Sequence, residues 1–258
     1  MALPLTRRQV LTISSLAVAG FATDTASNSA GAEEAATSAS SEMTHKNAIN
    51  VAVMLGQHNT LIDVAGPWEV LSSSAYAGGA FNVYSVAATR SPVICDDSRG
   101  VVEPHMPGMS ELPISGLTVV PDFTFESAPQ PRIIIIGGQT SEEEQERESL
   151  NWIRHAANKA DLSASVCTGA YLLAKSGLLD GKTATTNRNA YDDFEKKFPR
   201  IKLIRGVRFV EAGSVASAAG LTAGIDLALH IVERFFGRKT AQAIADYEEW
   251  PSKAWLNS

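Results

Sequence analysis

The chain is 258 residues long, 45% apolar, and carries a formal charge of −6. That much apolar material fills the core of one full-sized α/β domain and excludes disorder along the whole length. An acidic balance without a basic stripe argues against nucleic acid and anionic lipid as partners.

The first residues stand apart. In "MALPLTRRQVLTISSLAVAGFA" the pair Arg7 and Arg8 directly precedes an apolar segment, 11–22, that is too short and mild to span a bilayer. This is the order of a twin-arginine export signal. The following "TDTASNSAGAEEAATSASSEMTHKN" is small and polar and cannot bury enough area to fold. Residues 1–46 are therefore expected to be signal and linker, and 47–258 one folded domain, periplasmic or secreted and free of the membrane after cleavage.

From Asn47 onward, β-rich runs alternate with helical patterns. "INVAVML" reads as a buried strand, and "LIDVAGPWEVLSSSAYA" as a helix with Pro67 near its first turn. "FNVYSVAA" is the next strand, followed by a long irregular stretch, 89–116, rich in Pro, Gly and Asp. "RIIIIGG" is a buried strand ending on two glycines, and "SEEEQERESLNWIRHAANKA" a helix capped by Ser141 with acids in its first turn. "LSASV", "TGAYLLAKSG", "TATT" and "NAYDDFEKKF" continue the alternation. "RFVEAGSVASAAG" reads as a hairpin, and "LTAGIDLALHIVERFFG" as a long buried helix closed by Gly237. Such alternation builds a mostly parallel sheet covered on both faces, with ligands at the carboxyl ends of its strands.

One thiol sits at such an end. "Ser165-Val166-Cys167-Thr168-Gly169" has small residues two before and two after the cysteine, the layout of a nucleophile elbow. The start of the following helix is expected to favour the thiolate through its free N–H groups; the alternative is a buried, inert cysteine. Negative charge developing on a substrate needs donors, and the backbone N–H groups of Thr168 and Gly138 are the candidates for an oxyanion hole. Gly137-Gly138 also reads simply as a strand-end turn.

The thiol needs a proton carrier. The five histidines, His45, His58, His105, His155 and His230, are scattered, and only His58 follows a strand toward the rim. Asp63 is the better candidate, an acid inside an apolar segment just after the first strand, where burial shifts proton affinity. Its competing role is to cap the helix that follows. Cys95 and Cys167 are not expected to form a disulfide, and with no CxxC, HExxH or Cys/His cluster no metal is expected.

At these residues the chain resembles the ThiJ/PfpI family of the class I glutamine-amidotransferase-like superfamily. The matching pieces are "LIDVAGPWEVL", "IIIIGG", "SVCTGAYLLAKSGLLDGKTATTN" and "SAAGLTAGIDLALHIVERFFG". The nearest branch looks like the isonitrile hydratases and the sensor domains fused to AraC-type regulators. The resemblance implies a flavodoxin-like three-layer sandwich, a homodimer, Cys167 as nucleophile, Asp63 as its hydrogen-bonded acid/base partner, and Thr168 as the neighbour typical of the hydratases. Proteolytic members carry His where this chain has Thr168, which disfavours a peptidase. Many relatives have His in place of Asn187, and segment 89–116 looks longer than usual; both bear on substrate choice.

Three functions follow from this reading. The leading one is a cysteine-dependent hydratase or hydrolase of a small electrophilic substrate, isonitrile to N-substituted formamide, with no cofactor. The second is a glyoxalase or deglycase acting on reactive carbonyls. The third is an exported binding or redox-sensing protein without turnover.

Overall fold

The computed structural model describes residues 48–96, 116–140 and 142–256. The expectations for residues 1–46, for the Ser141 cap and for most of segment 89–116 lie outside the described residues.

The elements in chain order begin with β1 (Ile49–Met54), β2 (Asn59–Thr60) and α1 (Leu61–Ser73), which ends in a 3-10 turn over Ser74–Ala77. β3 (Phe81–Ala87), β4 (Val93–Asp96), β5 (Leu117–Val119), β6 (Phe123–Thr124) and β7 (Ile133–Ile136) follow. Then come α2 (Glu143–Ala157), β8 (Leu162–Val166), α3 (Gly169–Lys175), β9 (Thr183–Ala184), α4 (Tyr191–Lys197) and β10 (Lys202–Leu203). β11 (Phe209–Ala212), β12 (Val215–Ala218), α5 (Ala223–Phe236) and α6 (Arg238–Tyr247) complete the described part.

Seven strands form the main sheet in the order β11-β12-β8-β7-β1-β3-β6. Every pairing in it is parallel except the β11/β12 hairpin. Continuous apolar runs suit strands buried on both faces, and the alternation of side chains shows it here. Val51, Val53, Ile133 and Ile135 pack on the side of α1, α5 and α6. Ala52, Met54, Ile134 and Ile136 pack on the side of α2, α3 and α4. This is the flavodoxin-like three-layer sandwich. Each isoleucine fully removed from water contributes about 1.5–3 kcal/mol, so the Ile133–Ile136 run is one of the anchors of the fold.

Three local readings change. Pro67 lies at the seventh residue of α1, in its interior, because the helix already starts at Leu61. Proline has no N–H, so the carbonyl of Asp63, four residues back, has no helical donor. The irregular stretch contains a real strand, β4, which pairs with β2 and β5 in a small second sheet. Beyond Gly237, where the sequence reading closed its last helix, α6 follows and buries Ala241, Ile244 and Ala245. No helix among the described residues is long and apolar enough to cross a membrane.

The strand order puts β8, β7 and β1 side by side in the middle. Their carboxyl ends deliver Cys167, Gly137-Gly138 and the β2 turn leading into α1 to one rim.

Candidate active site

Cys167 stands between β8 and α3 with φ of 58°, in the left-handed region that disfavours a side chain. Such a conformation costs on the order of 1–3 kcal/mol and persists only where neighbours hold it. They do so here on both sides of the residue. The Cys167 N–H donates to the Ala219 carbonyl at 2.7 Å, and its carbonyl accepts from Thr186 Oγ1 at 2.9 Å. The small residue two positions on is obligatory: a Cβ on Gly169 would stand 2.1 Å from the Ile136 carbonyl oxygen. Ser165, two before, is fully buried. These contacts give the elbow its shape.

Asp63 occupies the first turn of α1 and is fully buried, yet its carboxylate does not cap that helix. Oδ2 instead accepts the Gly138 N–H, from the end of β7, at 3.1 Å. Burial raises the proton affinity of Asp63 to a pKa of about 7, against the opposing pull of hydrogen bonds from Gly138, from Cys167 and from the Leu221 backbone. An acid half-ionised near neutrality is suited to both taking and giving a proton.

The sulfur is surrounded by donors. Asn187 Nδ2 lies 3.3 Å from Sγ. The Thr168 N–H and hydroxyl also face it and lower its proton affinity, although Thr168 Oγ1 makes no hydrogen bond of ordinary geometry. Burial, with the Asp63 charge second, nevertheless pushes the Cys167 pKa up to about 12. This departs from the expected thiolate. Helix α3 has only seven residues, and its partial charge does not offset the desolvation of a fully enclosed sulfur beside a carboxylate. The resting proton is therefore on sulfur, hydrogen-bonded toward Asp63.

Of the two oxyanion donors read from the sequence, the Thr168 N–H faces the sulfur, whereas the Gly138 N–H is engaged by Asp63. His58 does not take part as proton carrier in this arrangement; its Nδ1 is 2.7 Å from Asp96 Oδ2. Cys95 and Cys167 are both free. Sequence reasoning noticed Asn187 only as a departure and gave Thr186 no role. Both follow the two-residue strand β9, and only its placement beside the elbow brings them to Cys167.

An open cleft of about 550 Å³ lies beside this point. Asn187, Arg188, Tyr191, Arg208, Gly220 and Leu221 are among the residues that line it. Its lining thus includes the residue that touches the sulfur, Asn187, and the residue whose backbone N–H faces Asp63, Leu221. Arg208 is fixed in the wall by the buried Asp226, with Nε 2.7 Å from Oδ2.

Comparison with known proteins adds the rest. An isonitrile hydratase from Pseudomonas putida is 34% identical over 148 residues, 55% of this chain and 64% of that protein. The transcriptional regulator GbdR of Pseudomonas aeruginosa is 29% identical over 132 residues, 51% of this chain and 36% of the regulator. In both cases the match spans less than two thirds of the relative's length. Among solved structures, a ThiJ/PfpI family protein from Pseudomonas syringae superposes with a TM-score of 0.61 at 23% identity, covering 80% of this chain and 76% of the other. The DJ-1/PfpI family profile matches residues 49–234, nearly the whole described fold and every residue of the site above: the chain belongs to the DJ-1/PfpI family.

Proposed function

We propose that the protein is a cysteine-dependent hydratase of small electrophilic carbon compounds, converting an isonitrile to an N-substituted formamide. The observation that carries this reading is the pairing of a protonated, buried thiol with an acid poised near neutrality. In the reaction the Cys167 sulfur bonds to the terminal isonitrile carbon while its proton passes through the Asp63 carboxylate to that same carbon. The product is a thioimidate. Water then adds to this carbon, Asp63 taking one of its protons and passing it to the substrate nitrogen. Cleavage of the C–S bond releases the formamide and returns a proton to sulfur. Asn187 and the Thr168 N–H stabilise charge on sulfur as it leaves. The hydratase relative and Thr168 beside the nucleophile support this choice over reactive carbonyls as substrates.

Similarity to GbdR supports a second reading, a binding protein that senses a small molecule in the cleft without turnover. The two readings part on one assay. Purified protein incubated with a panel of alkyl isonitriles is expected to yield the matching formamides, and stoichiometric binding without formamide from any of them would leave only the sensor.

A further inference from the structure

Two threonines that open helices do not cap them. Thr60 precedes α1 and Thr168 precedes α3, positions where a threonine hydroxyl ordinarily accepts a hydrogen bond from the first turn. Neither makes that bond. Thr60 Oγ1 and Thr168 Oγ1 are both buried without a protein partner of ordinary hydrogen-bond geometry, and so is Asp63 Oδ1.

These groups meet at one place. A Cβ built on Gly138 would lie 2.5 Å from Thr168 Oγ1, 3.1 Å from Asp63 Oδ2 and 3.4 Å from Thr60 Oγ1. Two hydroxyls, one from the end of β2 and one from the start of α3, and the Asp63 carboxylate that carries the unpartnered Oδ1 therefore converge beside one glycine. A buried unsatisfied polar group costs about 1–3 kcal/mol, which makes three of them together a feature to be explained. An ordered water in a polar pocket, bonded to two to four such groups, is the common solution.

We propose that Thr60, Thr168 and the Oδ1 atom of Asp63 hold the water molecule that attacks the thioimidate, with Thr60 acting as a positioning residue for it. The inference rests on the hydratase reading for the water's chemical role. The two hydroxyls orient the water oxygen toward the carbon on Cys167. As the O–C bond forms, one water proton passes by way of the Asp63 carboxylate to the substrate nitrogen; the other remains on the new hydroxyl until the C–S bond breaks, when it is transferred through the again ionised Asp63 to sulfur. A glycine is needed at 138 for the hydroxyl itself, since any Cβ there would stand 2.5 Å from Thr168 Oγ1.

The test uses Thr60→Val, which removes the hydroxyl at nearly constant volume, and Thr60→Ser, which restores it. Because the hydroxyl caps nothing, both variants should fold, as thermal melting will confirm. With cyclohexyl isonitrile, Thr60→Val is expected to release formamide up to about 10²-fold more slowly, the scale of a lost positioning contact. Mass spectrometry of quenched samples should then show substrate mass accumulating on the Cys167 peptide, while Thr60→Ser behaves as wild type. Formamide release at the wild-type rate, or a slower rate without the adduct, would overturn the proposal. A second arm needs no substrate: a crystal structure that shows waters should place one within hydrogen-bond reach of Thr60 Oγ1 and Thr168 Oγ1 in the wild type, and not in Thr60→Val. A dry site in the wild type overturns the proposal. Wild-type protein that forms neither adduct nor formamide removes the hydratase reading instead, and the crystallographic arm alone then decides the water site.

Discussion

The protein has two cysteines, and what surrounds them differs more than what titrates them. Both are free and fully buried. Burial pushes Cys95 up to about 11 and Cys167 up to about 12, and each has a neighbouring aspartate, Asp96 or Asp63, that adds to the rise. Proton affinity therefore does not single out the nucleophile. Backbone and neighbours do. Cys95 sits in β4, in register with Asn59 on one side and Leu117 on the other, and packs in the apolar core. Cys167 is held at a positive φ, with Asn187 Nδ2 on its sulfur and the open cleft that Asn187 lines beside it. The two aspartates differ in the same way: Asp96 Oδ2 meets the His58 ring nitrogen at 2.7 Å, whereas Asp63 is met by backbone donors and the thiol.

The sharpest way to break this comparison is to remove each thiol in turn. Cys167→Ser is expected to abolish isonitrile turnover, because a buried alcohol beside an acid is a far weaker nucleophile than a thiol that passes its proton to Asp63. Cys95→Ala should keep turnover and lose on the order of 1 kcal/mol of stability from the missing sulfur. Loss of turnover in a folded Cys95→Ala protein would show that the two sites are not separate.

Asp63→Asn comes next in size. The amide fills almost the same volume and still offers an oxygen to the Gly138 N–H, yet cannot carry a proton. A drop in kcat of about 10²- to 10⁴-fold is expected, the usual contribution of a general acid–base group. A near-normal rate in the folded variant would end the acid/base assignment, and with it the distinction drawn between Asp63 and Asp96.

The sequence made much of this legible, for local reasons. Ile133–Ile136 and the small residues around Cys167 carry their structural meaning in the chain itself, as a doubly buried strand and a tight turn. Asp63 was visible because an acid inside "LIDVAGP" contradicts its surroundings. The misreadings depended on distance. The thiolate was expected from the helix start, but the burial that outweighs it comes from packing that no short window displays. Asn187 reaches the sulfur from 20 residues away, and Thr60 meets Thr168 only because β1 and β8 both flank β7. Helix α6 begins immediately after Gly237, which by itself looked like an end.

The smallest expected effect concerns stability and requires its sign to be worked out. The pKa of Asp63 is about 7 when folded against 3.8 as the ordinary value. Below pH 4 the carboxyl is protonated in both states and contributes nothing. Between about pH 4 and 7 the unfolded chain releases the proton while the folded chain retains it, so stability falls as pH rises, and the loss is complete just above 7. At about 1.4 kcal/mol per unit, the full penalty is on the order of 4 kcal/mol. Asp63→Asn removes this titration. Its unfolding free energy, measured in urea, should therefore gain on the wild type by roughly that amount between pH 4 and pH 8. A further decline above pH 9, from the raised Cys95 and Cys167, should persist in both proteins. Parallel curves for the two proteins across pH 4–8 would mean that Asp63 ionises with ordinary affinity, and the poised acid on which the chemistry depends would be lost.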